Sequence, residues 1–334
     1  MKINVTFPVW ILAILSIVSC KGSYKELNLN EVPKQTLFVE KSVAIDSCSG
    51  INLFLYNKNV IVVAPQNSFG KYPYFLYDMD NLHYVGAVGR FGHSSQEFVD
   101  VNPYYILKND TSFVQCTDGY FESVYTIKGG QLYLLHRNKI SSFNMNGLCK
   151  VDDSSYIFWN EDPNDEFVYF SSKTKDYVKF GKYPSKEFPA KNQDDYLGFY
   201  EKATSVNNEK GLFYSFYTNI PVVRIFNNKR EEISSIIIDN CSKGEQYYDD
   251  FVNDRNKTFY CMARYYGQYT YALYHGTIFP TPYSEIHVWD DTGSIVNRIV
   301  LNKWIKCFDI DVESKRIYGI YVDKEDYLFS AYYS

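Results

Sequence analysis

Apolar and polar residues alternate in short runs along most of this chain, with the period of two that marks half-buried strands. The clearest case lies near the C-terminus. Residues 285–290 (EIHVWD) alternate, Asp291-Thr292-Gly293 turns the chain, and 294–301 (SIVNRIVL) alternate again, which predicts a hairpin. Strands at 307–312, 316–322 and 327–333 follow, divided by charged turns. Upstream, paired runs flank turns near residues 80, 129, 174, 228 and 292, at intervals of roughly 50 residues. A preceding pair of strands fits each: 51–56 with 60–63, 104–108 with 112–116, 148–152 with 156–159, 204–206 with 212–217, and 249–253 with 258–264. No run has the period and caps of a long amphipathic helix.

Four strands per unit, repeated radially, predict a β-propeller. Five units are complete, and the sixth has three strands at the C-terminus. The segment 36–45 (TLFVEKSVAI) supplies a fourth, so strands from both ends of the chain close a six-bladed, all-β ring of four-stranded antiparallel blades. Closure removes the exposed edges that an open ring would leave.

Composition supports this reading and narrows the partners. The 334 residues include 33 Tyr, 24 Phe and 4 Trp, and aromatic side chains favour strands. The formal net charge of −5 argues against a nucleic-acid binder, which must neutralise phosphates.

The N-terminus reads as an address. Lys2 precedes an apolar run over 5–18, interrupted by Pro8, that ends in Ser19-Cys20. A charged start, a short apolar stretch and small residues before a cut describe a secretory signal. The run is too short for a spanning helix of about 20 residues. With a cysteine at the cut, it resembles a bacterial lipoprotein signal, which implies that Cys20 is acylated and becomes the first mature residue. The expected layout is a signal at 1–19, a polar tether at 20–35 and the propeller at 36–334. The expected location is the cell envelope, lipid-anchored to the outer membrane. No acidic run follows Cys20 to choose between the periplasmic and surface faces. The six remaining cysteines (Cys48, Cys116, Cys149, Cys241, Cys261 and Cys307) form no C-x-x-C pair and are expected mostly free, as small buried hydrophobes.

Two stretches carry a family resemblance. Val288–Gly293, Phe308–Asp311 and Lys315–Ile320 match the hairpin and strands that close the ring in TolB-like six-bladed β-propeller lipoproteins of Bacteroidetes. Gly89, Arg90, Gly92, Glu97 and Phe98 match the glycine-rich loop that follows the first blade in those relatives, while Ser94-Ser95-Gln96 departs from it. The resemblance implies an exported propeller, mostly without an assigned enzymatic activity.

Catalytic signatures are missing from the sequence. No G-x-S-x-G elbow, H-E-x-x-H helix or complete EF-hand loop occurs, so no catalytic residue, metal or cofactor is expected. The acidic run 161–166 reads as a solvated turn. Two partner-binding candidates remain. In the loop at 89–93, Arg90 and His93 are placed to grip an anion. In the stretch 265–283, read as a long loop between the second and third strands of blade 5, Tyr265, Tyr266, Tyr269, Tyr271 and Tyr274 offer aromatic faces. The reading is therefore a membrane-anchored binding or scaffolding propeller for an envelope protein, peptide or glycan. The alternative is an envelope glycan hydrolase or lyase with an acid–base site at the central channel.

Overall fold

A computed structural model describes residues 24–334 except 40, 46–48, 67–70, 95–96, 110, 118–120, 141–145, 161 and 279–280. The signal, Cys20 and Cys48 lie outside the described residues. Six sheets form, and each has four antiparallel strands taken in chain order apart from the last. Blade 1 comprises Asn52–Tyr56, Asn59–Val63, Tyr74–Asp78 and Tyr84–Val88; blade 2, Val101–Lys108, Phe113–Thr117, Phe121–Lys128 and Gln131–Lys139. Blade 3 comprises Cys149–Lys150, Ser155–Trp159, Phe167–Ser171 and Tyr177–Phe180; blade 4, Lys202–Asn207, Leu212–Tyr217, Val222–Phe226 and Glu232–Ile238. Blade 5 comprises Thr258–Tyr266, Tyr269–Thr277, Ser284–Trp289 and Ile295–Leu301. In blade 6, Ile305–Asp311, Arg316–Val322 and Asp326–Tyr332 are joined by Lys41–Ala44, which pairs antiparallel with the last strand, Leu328 opposite Val43. The chain is thus an all-β, six-bladed propeller closed by strands from both ends, as the alternation predicts.

The aromatic residues fill the seams between blades. Phe54, Tyr74, Phe113 and Tyr125 pack where blades 1 and 2 meet. Phe167, Phe180, Phe213 and Phe226 do so between blades 3 and 4, and Phe216, Tyr260 and Trp289 between blades 4 and 5. Edge-to-face contacts such as Phe167–Phe213, with centroids 4.9 Å apart, add about 0.5–1.5 kcal/mol beyond area burial. Blade 1 is apolar on both faces, with Leu53, Leu55 and Val62 packed toward blade 6 and Phe54, Ile61 and Tyr74 toward blade 2, so the core is divided into slices between blades.

Two sequence expectations need correction. Part of the expected tether is folded: Lys25–Leu27 pairs parallel with the outer strand of blade 4, and Lys34–Leu37 with that of blade 5. Leu29 and Leu37 are buried beneath this segment. Its polar composition concealed it, because a strand added at an edge is held by backbone hydrogen bonds and needs few apolar anchors. The second correction concerns blade 5. Residues 246–252 form a short helix (Gln246–Val252), not a strand, since Tyr247, Tyr248 and Phe251 share one helical face. The blade therefore starts one strand later than expected.

Candidate functional site

The first strand of each blade lines the axis, and the first strands of blades 3, 4, 5, 6, 1 and 2 touch in that order. Their N-terminal ends open on the face where chains cross between blades. There the first strand of blade 2 is irregular. Its ladder jumps from Val101 opposite Thr117 to Ile106 opposite Gln115. Asn102 Oδ1 accepts from the backbone N–H of Tyr104 at 2.9 Å, folding Asn102-Pro103-Tyr104 into a side-chain-capped turn. The bulge re-aims Tyr104, which is 72% exposed although it sits on an inner strand.

Burial raises the Tyr104 phenol pKa, with further contributions from Glu201, Cys261 and Cys307 of blades 4, 5 and 6. Glu201 follows the short helix Tyr196–Phe199 and precedes the first strand of blade 4. Solvent reaches it, yet surrounding protein is dense enough that desolvation alone raises its carboxyl.

Cys261 has the outline of a nucleophile–base pair. Its Sγ lies 3.5 Å from His275 Nε2, and His275 Nδ1 lies 3.2 Å from Ser284 Oγ. The Ser284 hydroxyl also accepts from the Ile305 N–H at 2.9 Å. Burial lowers the imidazole pKa to about 4 and raises the Cys261 thiol, so both are neutral at pH 7. A neutral, half-buried thiol beside a neutral imidazole is a weak nucleophile. Cys307 is likewise pushed up to about 12 by burial.

The opposite end of the axis is closed by a buried carboxylate. Asp309 of blade 6 accepts from Lys108 Nζ of blade 2 at 2.5 Å and from the Leu55 N–H of blade 1 at 2.8 Å. The Tyr266 hydroxyl of blade 5 is a further donor. Burial opposes ionisation, but Lys108 and Arg264 outweigh it and hold the Asp309 carboxyl below its usual range. Arg264 itself donates to the Phe308 and Leu53 carbonyls at 3.0 and 2.8 Å.

The sequence-derived candidates lie elsewhere and do not come together. In the loop after blade 1, Arg90 stands 3.7 Å from Glu97, whose carboxylate also accepts from the Ser94 N–H at 3.0 Å. Gly89 adopts φ +74, and a side chain on Gly92 would collide with Glu97. The glycines and the acid of this motif are thus needed for the loop's own closure, and His93 is exposed beside it. The stretch 265–283 is not an inserted loop but the regular first hairpin, second strand and following connection of blade 5. Tyr271 and Tyr274 are buried, with Tyr274 stacked on His287 at 4.4 Å. Tyr266 serves Asp309, while Tyr265 and Tyr269 stand at the hairpin tip, partly open to solvent. In the acidic run, Asp162 and Asp165 pair with Lys179 and Lys182, and Glu166 is buried. Among the described residues no group of three or more His, Cys, Asp or Glu is placed to hold a metal. Cys149, Cys241, Cys261 and Cys307 are free thiols.

Tyr104 and Glu201 escaped the sequence reading. The signal for Tyr104 is Asn-Pro, a turn dipeptide, in the middle of a strand pattern. Nothing in the sequence distinguishes Glu201 from other acids.

No protein-family profile matches the sequence, and no curated protein matches it. Solved structures do. A member of the DUF4221 family from Bacteroides vulgatus aligns at TM-score 0.60 over 88% of this chain and 96% of its own, at 11% identity. A protein from Bacteroides fragilis aligns at TM-score 0.49 over 90% of this chain and 100% of its own, at 10% identity. The first likeness, at 11% identity, is one of fold alone and leaves activity to the site.

Proposed function

We propose that the protein is a lipid-anchored envelope propeller of the TolB-like kind that binds a protein, peptide or glycan at the axial mouth. The observation that carries this reading is Tyr104, turned out of its ladder by a bulge and left exposed on an inner strand, with Glu201 exposed just before the first strand of blade 4. An exposed aromatic side chain and an exposed carboxylate near the N-terminal ends of the inner strands suit sugar hydroxyls or a cationic peptide side chain. The inner carboxylate at the other end, Asp309, is already neutralised by Lys108, which favours binding over two-carboxyl hydrolysis. Cys20 anchors the ring, and its acyl chains hold the domain at the outer membrane.

The test uses the full lipidated chain on arrays of envelope glycans and peptides, beside a Tyr104→Ala/Glu201→Gln variant. The expected result is retention by the wild type and at least tenfold weaker retention by the variant. Equal retention by both, or none by the wild type, overturns the reading. Cys20→Ser is expected to move the protein from the membrane to the soluble envelope fraction.

A further inference from the structure

The outer rim of blade 3 is basic in a chain whose formal net charge is −5. Residues 172–186 (SKTKDYVKFGKYPSK) hold five lysines and a single acid, Asp176. They run through the turn before the outer strand Tyr177–Phe180, along that strand and into the connection to blade 4. Lys173, Lys175, Lys179, Lys182 and Lys186 are all exposed. Tyr177 and Val178 lie between them, 47% and 38% exposed. Asp162 and Asp165 neutralise Lys179 and Lys182. Lys173, Lys175 and Lys186 make no ion pair among the described residues. Lys175 stands 6.0 Å from the centre of the Phe170 ring, a contact that leaves its charge uncompensated.

The N-terminal end of the chain reaches the ring at this same rim. Tyr24, the first of the described residues, meets Phe188 edge to face with centroids 6.4 Å apart. Phe188 is buried and follows Lys186 by two positions. Lys25–Leu27 then joins the outer strand of blade 4. Only Lys21, Gly22 and Ser23 separate Cys20 from Tyr24, and they add a further cation and no acid. Four extended residues span at most about 14 Å. With Cys20 acylated, the rim where blades 3 and 4 meet is the part of the ring held nearest the bilayer.

Charge and tether therefore agree on one occupant. Anionic lipid surfaces attract clustered lysines, and the attraction falls off within a Debye length of about 8 Å at physiological salt. A cluster far from the bilayer would feel little of it, whereas a short tether keeps this one close. A soluble acidic protein would satisfy the same charges, but nothing would keep it beside the point where the chain enters.

We propose that the lysine-rich rim of blade 3 docks on the anionic surface of the membrane that holds Cys20. Lys173, Lys175 and Lys186 meet the phosphate headgroups, and Tyr177 and Val178 rest between them at the interface. The ring then stands on its rim. Its axial mouth opens along the membrane rather than into it, and blade 6, opposite blade 3, points away. The inference rests on the lipid anchor proposed above and adds to it a second, electrostatic hold.

Two arms separate the patch from the anchor. In the first, the full Cys20→Ser chain, which has no acylation site, is sedimented with vesicles of phosphatidylcholine alone or of equal parts phosphatidylcholine and phosphatidylglycerol. Binding to the anionic vesicles is expected to be at least about tenfold tighter and to fade in high salt. Adding Lys173→Glu/Lys175→Glu/Lys186→Glu is expected to abolish the preference. Adding Lys58→Glu/Lys315→Glu/Lys324→Glu, the same charge change at exposed turns of blades 1 and 6, is expected to keep it. In the second arm, the lipidated wild type is acetylated in the anionic vesicles and in detergent, and its lysines are followed by mass spectrometry. Lys173, Lys175 and Lys186 are expected to react more slowly in the vesicles, and Lys58, Lys315 and Lys324 at the same rate in both. Equal binding to the two vesicles, equal loss of preference in the two triple variants, or equal protection of all six lysines overturns the proposal. Tighter binding of the Cys20→Ser chain to polyglutamate than to the anionic vesicles also overturns it and assigns the rim to an acidic protein. An intact mass without acyl chains overturns the anchor reading instead, and with it the tether that sets this rim on the membrane.

Discussion

At the scale of single residues, buried acids tie the blades together. Glu166 takes hydrogen bonds from Lys202 Nζ, at 2.7 Å, and from Tyr217 and Arg224, joining blade 3 to blade 4. Glu122 does the same between blades 2 and 3 through Tyr105, Tyr156 and Lys150. None of this is legible in the sequence, where Glu166 closes an acidic turn and resembles its exposed neighbours. Alternation reports which face of a strand is buried, not which polar residue has a partner waiting there. Glu285 offers a test. Desolvation opposes its ionisation, but hydrogen bonds from His287 and Arg298 prevail and bring its pKa from 4.5 to about 2. Burial keeps His287 neutral; Tyr260 occupies its Nδ1 at 2.8 Å, so Nε2 donates to the acid. The ionised form is the one the fold favours. Its contribution is complete above about pH 4.5 and is lost as pH falls toward 2, amounting to about 3 kcal/mol. Glu285→Gln is therefore expected to flatten the acid limb of the stability–pH curve, measured by urea unfolding between pH 5 and pH 2.5.

At the scale of elements, the blade hairpins were legible and the N-terminal strands only in part. Hairpins announce themselves by local alternation broken at Gly, Asn and Asp. The strands on blades 4 and 5 are short, polar and paired with residues more than two hundred positions away. Only Leu37 among the four residues of Lys34–Leu37 is fully buried, and it packs into the core shared by blades 5, 6 and 1. Leu37→Asp places an unpaired charge there. The expected loss is about 3 kcal/mol, with residues 24–44 becoming exchange-labile before blades 1 to 3. Lys34→Asp, at an exposed position, is the matched control and is expected to change little. Thermal melts with hydrogen exchange read both. The helix at 246–252 shows the opposite difficulty: in so short a segment, periods of two and of 3.6 both fit, and contact with Phe199 and Tyr200 decided between them.

For the whole molecule, Asp309 does at one point what the circular topology does overall. Its partners come from blades 1, 2 and 5, so it links the beginning and end of the ring across the axis. Asp309→Asn keeps the shape but leaves Lys108 and Arg264 without their counter-charge. It is expected to cost about 3 kcal/mol in equilibrium unfolding, partly recovered by Lys108→Met in a double-mutant cycle. The sequence by itself determined the class, the blade count and the closure, because strand periodicity, turn chemistry and repeat length are local and survive without contacts. Only the tertiary structure decided where the N-terminal strands lie, which tyrosines are buried and which one faces the axis. It also decided which acids are neutralised and which outer edges stay open. Those properties belong to the distances between blades, and a propeller brings together residues that a linear pattern never sets side by side.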